Sequence, residues 1–494
     1  MKLRLSPVRR NAAASYVNFV VVAIVGVIVN PLLAGALGAS AFGVWKSCQK
    51  AIDFATVADG RATQALKWII AYRSGETDPG VLRRSVGASL AVWVLLVPIV
   101  AIIATLIAFA LPLMLSGIPD DQTNSVRVVA AVLGLNVLLA GLLSVPDSIL
   151  VGTNQGYRSM SVTTFALICV NIAMVVAVQH GYGIKTLAML TVAGAVINAL
   201  ITFVVARRRV PWMGAHRPSS ADVKTVARFS GWVMGWSFVT KIYLATELLL
   251  FGSLIGVSAA AHFTFTNYVL SFALSACLMT GSAFMPQLGL ALGAKNHEAA
   301  QQSIRDAREV SLALAVLCAG VVLALNGSFV DAWIGSRFYL GDTTNALMTL
   351  AFLQLAVLRT EAQIQDTGLD IKLKVLTGLA GAFLSAGLAV VMYTWLESVS
   401  AMYIGLILGR LVPSFVFPRL VARLAPGSGG TWRHLLMSAA ILLPCGAIGA
   451  LLGSTGPLLL VPISLAVAAV IGIACYLGLL SAPVRAKMRR TVRA

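Results

Sequence analysis

The chain has 494 residues, of which 59% are hydrophobic and only 11% are charged, and its mean hydropathy is +0.89. Because soluble domains carry about 25% charged residues, this composition excludes a water-soluble globular protein. The net charge is +19, but the cations are scattered over many short segments and form no single basic module. They therefore do not indicate nucleic-acid binding, and we expect them to orient the chain in a membrane and to contact anionic membrane lipids.

The apolar residues form 14 stretches, each long enough to cross a bilayer as a helix, for which about 20 residues are needed. The stretches are too long for the strands of a membrane barrel and do not alternate between apolar and polar residues. We therefore predict an all-α integral membrane protein with about 14 transmembrane helices. The predicted spans cover residues 12–37, 40–70, 85–114, 126–151, 159–179, 183–206, 229–255, 258–288, 310–331, 344–365, 373–395, 399–421, 434–453 and 457–480.

The basic residues predict the orientation of these spans. Of the 37 lysines and arginines, 27 lie in alternate connections, beginning with the N-terminal segment and ending with the C-terminal tail. The intervening connections contain only Arg127, Lys185 and Arg337. Because short basic segments resist translocation, both termini are predicted to be cytoplasmic and the number of spans to be even.

The longest polar connection divides the chain into two predicted lobes. It contains Pro211 and Pro218, which disfavour a continuous helix. The predicted organisation is a first lobe of six spans at 1–206, a cytoplasmic linker at 207–228, a second lobe of six spans at 229–424, and two further spans with a basic tail at 425–494.

An internal repeat supports two pseudo-symmetric lobes. Residues 32–41 and 249–259, at the ends of the first and seventh spans, share the pattern L-L-x-G-x-L-(x)-G-x-S-A, with the bracketed residue present only in the second copy. Transporters built from such parallel repeats bind substrate between the lobes. Chance similarity between segments rich in Gly, Ala and Leu is the alternative explanation.

Charged residues inside the spans are candidates for a functional site, because a charge at the bilayer centre costs about 2.5–3.5 kcal/mol on insertion scales. The second span has a polar stripe along one helical face. The stripe consists of Lys46, Lys50, Asp53, Gly60, Arg61, Gln64 and Lys67. Lining of a water-filled cavity competes with two alternatives: snorkelling of Arg61 and Lys67, and a structural pair of Lys50 with Asp53.

Five further charges lie deep in later spans. Lys241 and Arg410 have no acid three or four residues away on their own helices, so we expect each to face water or a partner from another helix. Glu247 is the only acid of the seventh span, and Arg359 and Glu361 lie close together in the tenth. A deep carboxylate is able to carry a coupling proton or to pair with a cation, and these are the two predicted roles of Asp53, Glu247 and Glu361.

The sequence shows no catalytic motif. It has no phosphate-binding loop, no HExxH and no nucleophile elbow, the motifs that would indicate the commonest hydrolytic and nucleotide chemistry. The six cysteines lie inside spans and form no CxxC pair, so neither a disulfide framework nor a metal site is indicated. We expect no enzymatic activity, no cofactor and no metal.

Five short motifs lie at or near the ends of spans: Leu37–Trp45, Asp59–Arg61, Gly152–Tyr157, Glu247–Gly256 and Trp333–Gly335. They resemble motifs of the polysaccharide-transport branch of the multidrug/oligosaccharidyl-lipid/polysaccharide (MOP) superfamily, which contains the O-antigen and exopolysaccharide flippases. The resemblance extends over essentially the whole chain, although each motif is short.

The resemblance implies a MATE-like fold, alternating access and a central cationic cavity in a protein of the bacterial cytoplasmic (inner) membrane. The implied substrate is an undecaprenyl-pyrophosphate-linked oligosaccharide for surface polysaccharide, lipopolysaccharide or exopolysaccharide assembly, with polymerase or export-complex proteins as further partners. The cations expected to bind the pyrophosphate are Lys46, Lys50, Lys241, Arg359 and Arg410.

Three alternatives stay open. A multidrug cation antiporter is expected to carry acids in its first helix, and residues 12–37 contain none. A peptidoglycan-precursor flippase is expected to have an arginine at the end of that helix, and residues 31–45 contain no charge. A non-transporting scaffold subunit of a polymer-export complex has little reason to retain the polar stripe of the second span.

Overall fold

The structure is a computed structural model that describes residues 7–59, 62–73, 78–118, 122–368, 371–427, 432–452 and 457–493. These residues are mostly helical and include no β-strand. The chain divides into two compact units, residues 1–261 and 262–494. The division predicted from the sequence, into lobes at 1–206 and 229–424, stays a prediction.

The N-terminal unit contains the helices of the first seven predicted spans. They are α1 (Pro7–Asp53), α2 (Ala62–Tyr72), α3 (Pro79–Met114), α4 (Thr123–Leu143), α5 (Val145–Gly152), α6 (Gly156–Gln179), α7 (Ile184–Arg209) and α8 (Ser220–Leu250). A 3₁₀ helix at Phe54–Asp59 follows α1, and a π-helical turn at Phe251–Ile255 follows α8. The unit ends within α9 (Val257–Thr266).

Two glycines give the sequence repeat a structural counterpart. Gly38 has a φ of +80° and interrupts α1. Gly256, at the corresponding position of the second copy, has a φ of +136° and separates the π-helical turn from α9. Glycine adopts positive φ without the steric cost that other residues incur. The first and seventh spans are therefore each joined to the next span through a glycine in this conformation.

The connection between α7 and α8 is anchored at both ends. The Arg83 guanidinium donates a hydrogen bond to the carbonyl oxygen of Trp212 at 2.9 Å. Ser219 caps α8: its hydroxyl accepts from the amide of Asp222, and its amide donates to the Asp222 carboxylate. This reciprocal capping box satisfies amides that the first helical turn leaves unpaired, so α8 begins at Ser220, inside the predicted linker.

The C-terminal unit contains the remaining helices. They are α10 (Tyr268–Ser282), α11 (Met285–Gly293), α12 (His297–Ile334), α13 (Asp342–Asp366), α14 (Lys372–Leu396), α15 (Val399–Gly409), α16 (Leu411–Leu424), α17 (Trp432–Leu452), α18 (Pro457–Gly478) and α19 (Ala482–Arg493). The 38 residues of α12 are about 57 Å long at 1.5 Å per residue. This helix is therefore much longer than the hydrocarbon core of a bilayer, which is about 30 Å thick.

The described residues include ten helical stretches that are long and apolar enough to cross a membrane. The other predicted spans coincide with helix as well: α1 merges the first span with the start of the second, α13 is more polar, and α17 and α18 provide shorter apolar stretches. Large apolar side chains such as Leu113 and Leu465, 83% and 68% exposed, cover the surface. The prediction of an all-α multi-span membrane protein is confirmed.

The last two spans pack on the long helix α12. Cys445 of α17 and Ile471 and Cys475 of α18 share an apolar core with Ala313 and Val316 of α12. A side chain at Gly449 would collide with the α12 backbone, since a Cβ there would lie 2.2 Å from the carbonyl oxygen of Leu323. Small residues thus bring α17 and α12 close together.

Candidate functional site

An ion pair joins the second span to the seventh. Asp53 is the last residue of α1, and Lys241 lies near the middle of α8. The Lys241 ammonium donates a hydrogen bond to the Asp53 carboxylate. The Lys241 and Asp53 side chains are 18% and 39% exposed, respectively. Lys241 therefore has a partner from another helix, one of the two surroundings expected from the sequence, and that partner is the acid of the polar stripe.

Two further lysines lie one and two helical turns before Asp53. Lys50 is exposed and close enough to interact electrostatically with both Asp53 and Lys241. Lys46 is partly buried, and its ammonium lies 5.2 Å from the centre of the Phe42 ring. We call Lys46, Lys50, Lys241 and Asp53 the lysine group. Three ammonium groups against one carboxylate give it an excess of two positive charges.

The position of Asp53 follows from a break in the second span. The α-helix ends at Asp53 and continues as the 3₁₀ helix, where the Thr56 hydroxyl donates to the Asp53 carbonyl oxygen at 2.7 Å. A carboxylate at a helix C-terminus is disfavoured by the negative end of the helix dipole. Lys50, in the last turn of α1, and Lys241 offset that cost. Gly60 and Arg61, which belong to the break in the resembled motif, lie outside the described residues.

The other half of the polar stripe faces a cavity of about 810 Å³ within the N-terminal unit. Lys67 of α2 and Asp147, in the first turn of α5, line this cavity and form an ion pair with an N–O distance of 2.8 Å. Lys67 is therefore not snorkelling towards the membrane surface. The sequence did not assign Lys67 to the site because its partner is 80 residues away. The feature that could have indicated this pair is Asp147, an acid inside the fourth span.

In the C-terminal unit Glu361 has a buried partner. The Arg308 guanidinium of α12 donates two hydrogen bonds to the Glu361 carboxylate, at 2.6 and 2.7 Å. Their side chains are 17% and 5% exposed. Glu361 thus has one of its two predicted roles, charge pairing. The sequence missed Arg308 because it counted this residue in a connection, whereas α12 begins at His297 and Arg308 lies three turns inside the helix.

Three other cations of the C-terminal unit lie in different surroundings. Lys374, counted in a connection from the sequence, is fully buried in α14 and pairs with Asp366 at the end of α13. Arg359 is partly buried in α13. Arg410 has no exposed surface, and it donates to the carbonyl oxygen of Ala351 at 3.4 Å. Substrate binding by Arg359 and Arg410 stays a prediction, and Arg410 offers no surface to a ligand in this conformation.

Two of the motifs that carried the family resemblance hold helix ends in place. Asn154 has a φ of +59°, and its side chain accepts a hydrogen bond from the Asn11 amide at 2.7 Å. Asn11 also accepts from the backbone amide of Tyr157, at 2.7 Å. Gly335, with a φ of +100°, ends α12, and Trp333 packs against the Phe265 ring at 5.3 Å. The residues of these motifs are therefore structural in this conformation.

Solved structures of MOP superfamily transporters share this fold. The lipid II flippase MurJ, in an inward closed conformation, has a TM-score of 0.63 at 12% identity, covering 94% of this chain and 97% of MurJ. An inward-facing multidrug resistance MATE family transporter has a TM-score of 0.58 at 17% identity, covering 82% of this chain and 96% of the other. A MOP superfamily transporter from Pyrococcus furiosus has a TM-score of 0.59 at 15% identity, with coverages of 86% and 96%. At these identities the similarity establishes the fold alone.

The chain thus has the fold of the multi-span transporters of the MOP superfamily. A family model described as polysaccharide biosynthesis protein matches residues 8–289, more than half of the chain. The chain belongs to this family. The comparison with curated protein sequences found no match. The predicted resemblance to the polysaccharide-transport branch of the MOP superfamily is confirmed.

Proposed function

We propose that this protein is a flippase that moves an undecaprenyl-pyrophosphate-linked oligosaccharide across the bacterial cytoplasmic membrane by alternating access. The observation that carries the proposal is the lysine group, in which Lys50 and Lys241 lie beside the Asp53 carboxylate and Lys46 lies near Lys50. Membership of a polysaccharide biosynthesis family and the fold of a lipid II flippase support it.

The chemistry of a pyrophosphate fits the lysine group. Ammonium groups bind phosphate oxygens as compact point charges with three donors each. An excess of two positive charges inside a membrane protein costs free energy unless water or an anion neutralises it. Bound pyrophosphate would supply negative charge that offsets the excess of the lysine group. Its binding would therefore lower this free-energy cost.

Asp53 gives the site a way to release its ligand. In the structure Asp53 holds Lys241, and a pyrophosphate competes with it for the same ammonium group. Protonation of Asp53 would free Lys241 for the ligand, which provides a route for ion coupling. Glu247, on the same helix and about 9 Å along its axis from Lys241, is the second proposed coupling residue.

The same charges argue against the other candidate functions. A drug cation is repelled by an excess of positive charge, which disfavours a multidrug antiporter. A peptidoglycan-precursor flippase is disfavoured by the uncharged residues 31–45. A scaffold subunit has no use for unneutralised lysines within its spans, and nothing in the sequence favours an enzyme. The positive-inside rule favours cytoplasmic termini, and we propose that they contact polymerase or export-complex proteins there.

Deletion of the gene tests this proposal through the pool of lipid-linked oligosaccharides, measured by mass spectrometry. We expect undecaprenyl-pyrophosphate oligosaccharide to accumulate and surface polymer to be lost, with both restored by the wild-type chain. An unchanged lipid pool with altered sensitivity to cationic drugs would contradict the proposal in favour of a multidrug antiporter. An unchanged pool with loss of polymer alone would indicate a scaffold subunit.

A further inference from the structure

The cavity around Lys67 is separate from the lysine group and has a different chemistry. It lies within the N-terminal unit, and its volume of about 810 Å³ falls in the range of about 300–1,000 Å³ typical of small-molecule sites. Four side-chain amides line it, from Asn18 of α1, Gln64 of α2, Asn136 of α4 and Asn198 of α7. We call this cavity the amide pocket.

The amide pocket carries no net charge. Its lysine, Lys67, is neutralised by Asp147 at 2.8 Å, and among the described residues no other lining side chain is ionisable. To bind Lys67, an anion would have to displace Asp147. To bind Asp147, a cation would have to displace Lys67. The lining therefore selects for a ligand without formal charge, in contrast to the lysine group.

The pocket has unused hydrogen-bonding capacity. Within the described part of the chain, the side-chain amides of Gln64 and Asn136 form no hydrogen bond, although each offers two N–H donors and a carbonyl acceptor. Thr202, 2% exposed, lines the pocket, and its hydroxyl has no hydrogen-bond partner among the same residues. A buried polar group without a partner is costly, so a ligand or water that pairs with the Thr202 hydroxyl is stabilised. The amides of Gln64 and Asn136 are partly buried and are available to the same ligand.

A lipid chain does not suit this lining. An acyl chain offers no hydrogen bond, so filling the pocket with hydrocarbon would leave the side-chain amides of Gln64 and Asn136 unpaired. A hydroxyl-rich ligand satisfies both the donors and the acceptors. The indole ring of Trp68, 68% exposed at the pocket, adds a flat apolar surface for the C–H face of a sugar ring.

We propose that the amide pocket binds an uncharged sugar unit, through Gln64, Asn136 and Asn198, with Trp68 as its stacking surface. The inference rests on the proposed function for the source of the sugar, a unit of the transported oligosaccharide. The lysine group then binds the pyrophosphate, and the amide pocket recognises the saccharide. Selectivity for the sugar resides in the N-terminal unit.

The test is saturation-transfer NMR on the purified full-length protein in detergent. The probes are three neutral disaccharides (lactose, cellobiose and chitobiose), with inorganic pyrophosphate measured in parallel by its phosphorus signal. The variant Gln64→Leu/Asn136→Leu removes both amides at similar volume, and its single substitutions are measured as well, in case the double variant does not fold. The matched control is Lys46→Gln/Lys50→Gln, outside the pocket.

We expect at least one disaccharide to bind the wild-type protein, and the amide variant to weaken that binding about ten-fold, from the loss of two hydrogen bonds, while pyrophosphate binding is unchanged. The Lys46→Gln/Lys50→Gln variant should bind pyrophosphate more weakly than the wild type and should bind the disaccharide unchanged. No disaccharide binding to the wild type, or binding unaffected by loss of the amides, would overturn the inference. Pyrophosphate binding that does not depend on the lysines would contradict the proposed function and leave the sugar site standing.

Discussion

At the scale of single residues, the sign of each charge in the lysine group determines how its substitution should change anion binding. Lys50 is exposed beside Asp53 and Lys241, so it is available to an anion. Asp53 opposes an anion and occupies one of the ammonium groups. The two residues belong to the same turn of α1, and their substitution should act in opposite directions.

Lys50→Gln should weaken the binding of inorganic pyrophosphate and Asp53→Asn should strengthen it. Each change should be about five-fold, because a unit charge close to the ligand in a solvated site is worth about 1 kcal/mol. Calorimetric titration at low salt measures both, and both effects should shrink as salt is added. Lys185→Gln, exposed in the first turn of α7, is the control and should have no effect. A shift in the same direction for Lys50 and Asp53 would rule out this electrostatic account.

The Arg308–Glu361 pair has a structural role. Glu361→Gln removes the negative charge that faces the partly buried Arg308 guanidinium, and breaking a buried pair costs about 3–5 kcal/mol. We expect that loss in the free energy of unfolding, measured by denaturation in mixed micelles. Glu298→Gln, an exposed acid in the first turn of α12, should cost about 1 kcal/mol or less. The apolar double variant Arg308→Met/Glu361→Leu should recover most of the lost stability. If Glu361→Gln alone is as stable as the wild type, the pair has no structural role.

The sequence alone could not identify which residue pairs with each charged side chain of the site. The sequence left open whether Lys241 faces water or a partner, and it does not show which acid Lys241 contacts, since Asp53 is 188 residues away. Lys67 and Lys374 looked like surface cations because they lie near span ends. Their partners, Asp147 and Asp366, come from other helices whose packing is a property of the fold.

At the scale of helices, glycines at the span ends determine how closely α1 approaches α9. A Cβ on Gly43 would lie 1.7 Å from the carbonyl oxygen of Val257, so no side chain fits there without moving one of the two backbones. Gly35, earlier in α1, has no atom within 4 Å of the equivalent position. The two glycines therefore form a matched pair for a test of this contact.

Gly43→Leu should disrupt the packing of α1 against α9 and reduce surface-polymer formation in cells at least about ten-fold, because overpacking costs about 1–3 kcal/mol or more. Gly35→Leu should keep full activity, since its side chain enters open space and leucine favours helix. Polymer per unit of membrane-inserted protein is the quantity to compare. Equal activity of the two variants would show that the contact has no part in transport.

Most helices were predictable, because apolar runs of about 20 residues leave a membrane chain few alternatives. Every predicted span coincides with helix. The interruptions were harder to foresee. A break near Asp59–Arg61 was indicated by the family resemblance, whereas the end of the α-helix at Asp53, the extension of α12 and the π-helical turn after α8 depend on packing and local hydrogen bonds.

At the scale of the whole molecule, the MOP fold and membership of the polysaccharide biosynthesis family agree with the expectations from composition, span count and motifs. The lysine group and the amide pocket place the two halves of the polar stripe in different surroundings, which no periodicity argument predicts: the helical wheel places Lys50 and Lys67 on one face. The break after Asp53 allows one face to meet two different environments.

The central claim is that the lysine group carries a lipid-linked pyrophosphate across the membrane. It is tested most directly by reconstituting the protein in vesicles with a fluorescent undecaprenyl-pyrophosphate oligosaccharide and following its loss of exposure to a membrane-impermeant quencher. We predict rapid equilibration with the wild type and with Lys185→Gln, and at least about ten-fold slower equilibration with Lys46→Gln/Lys50→Gln. Equal rates for the lysine double variant and the wild type, or a wild type no faster than protein-free vesicles, would contradict the account.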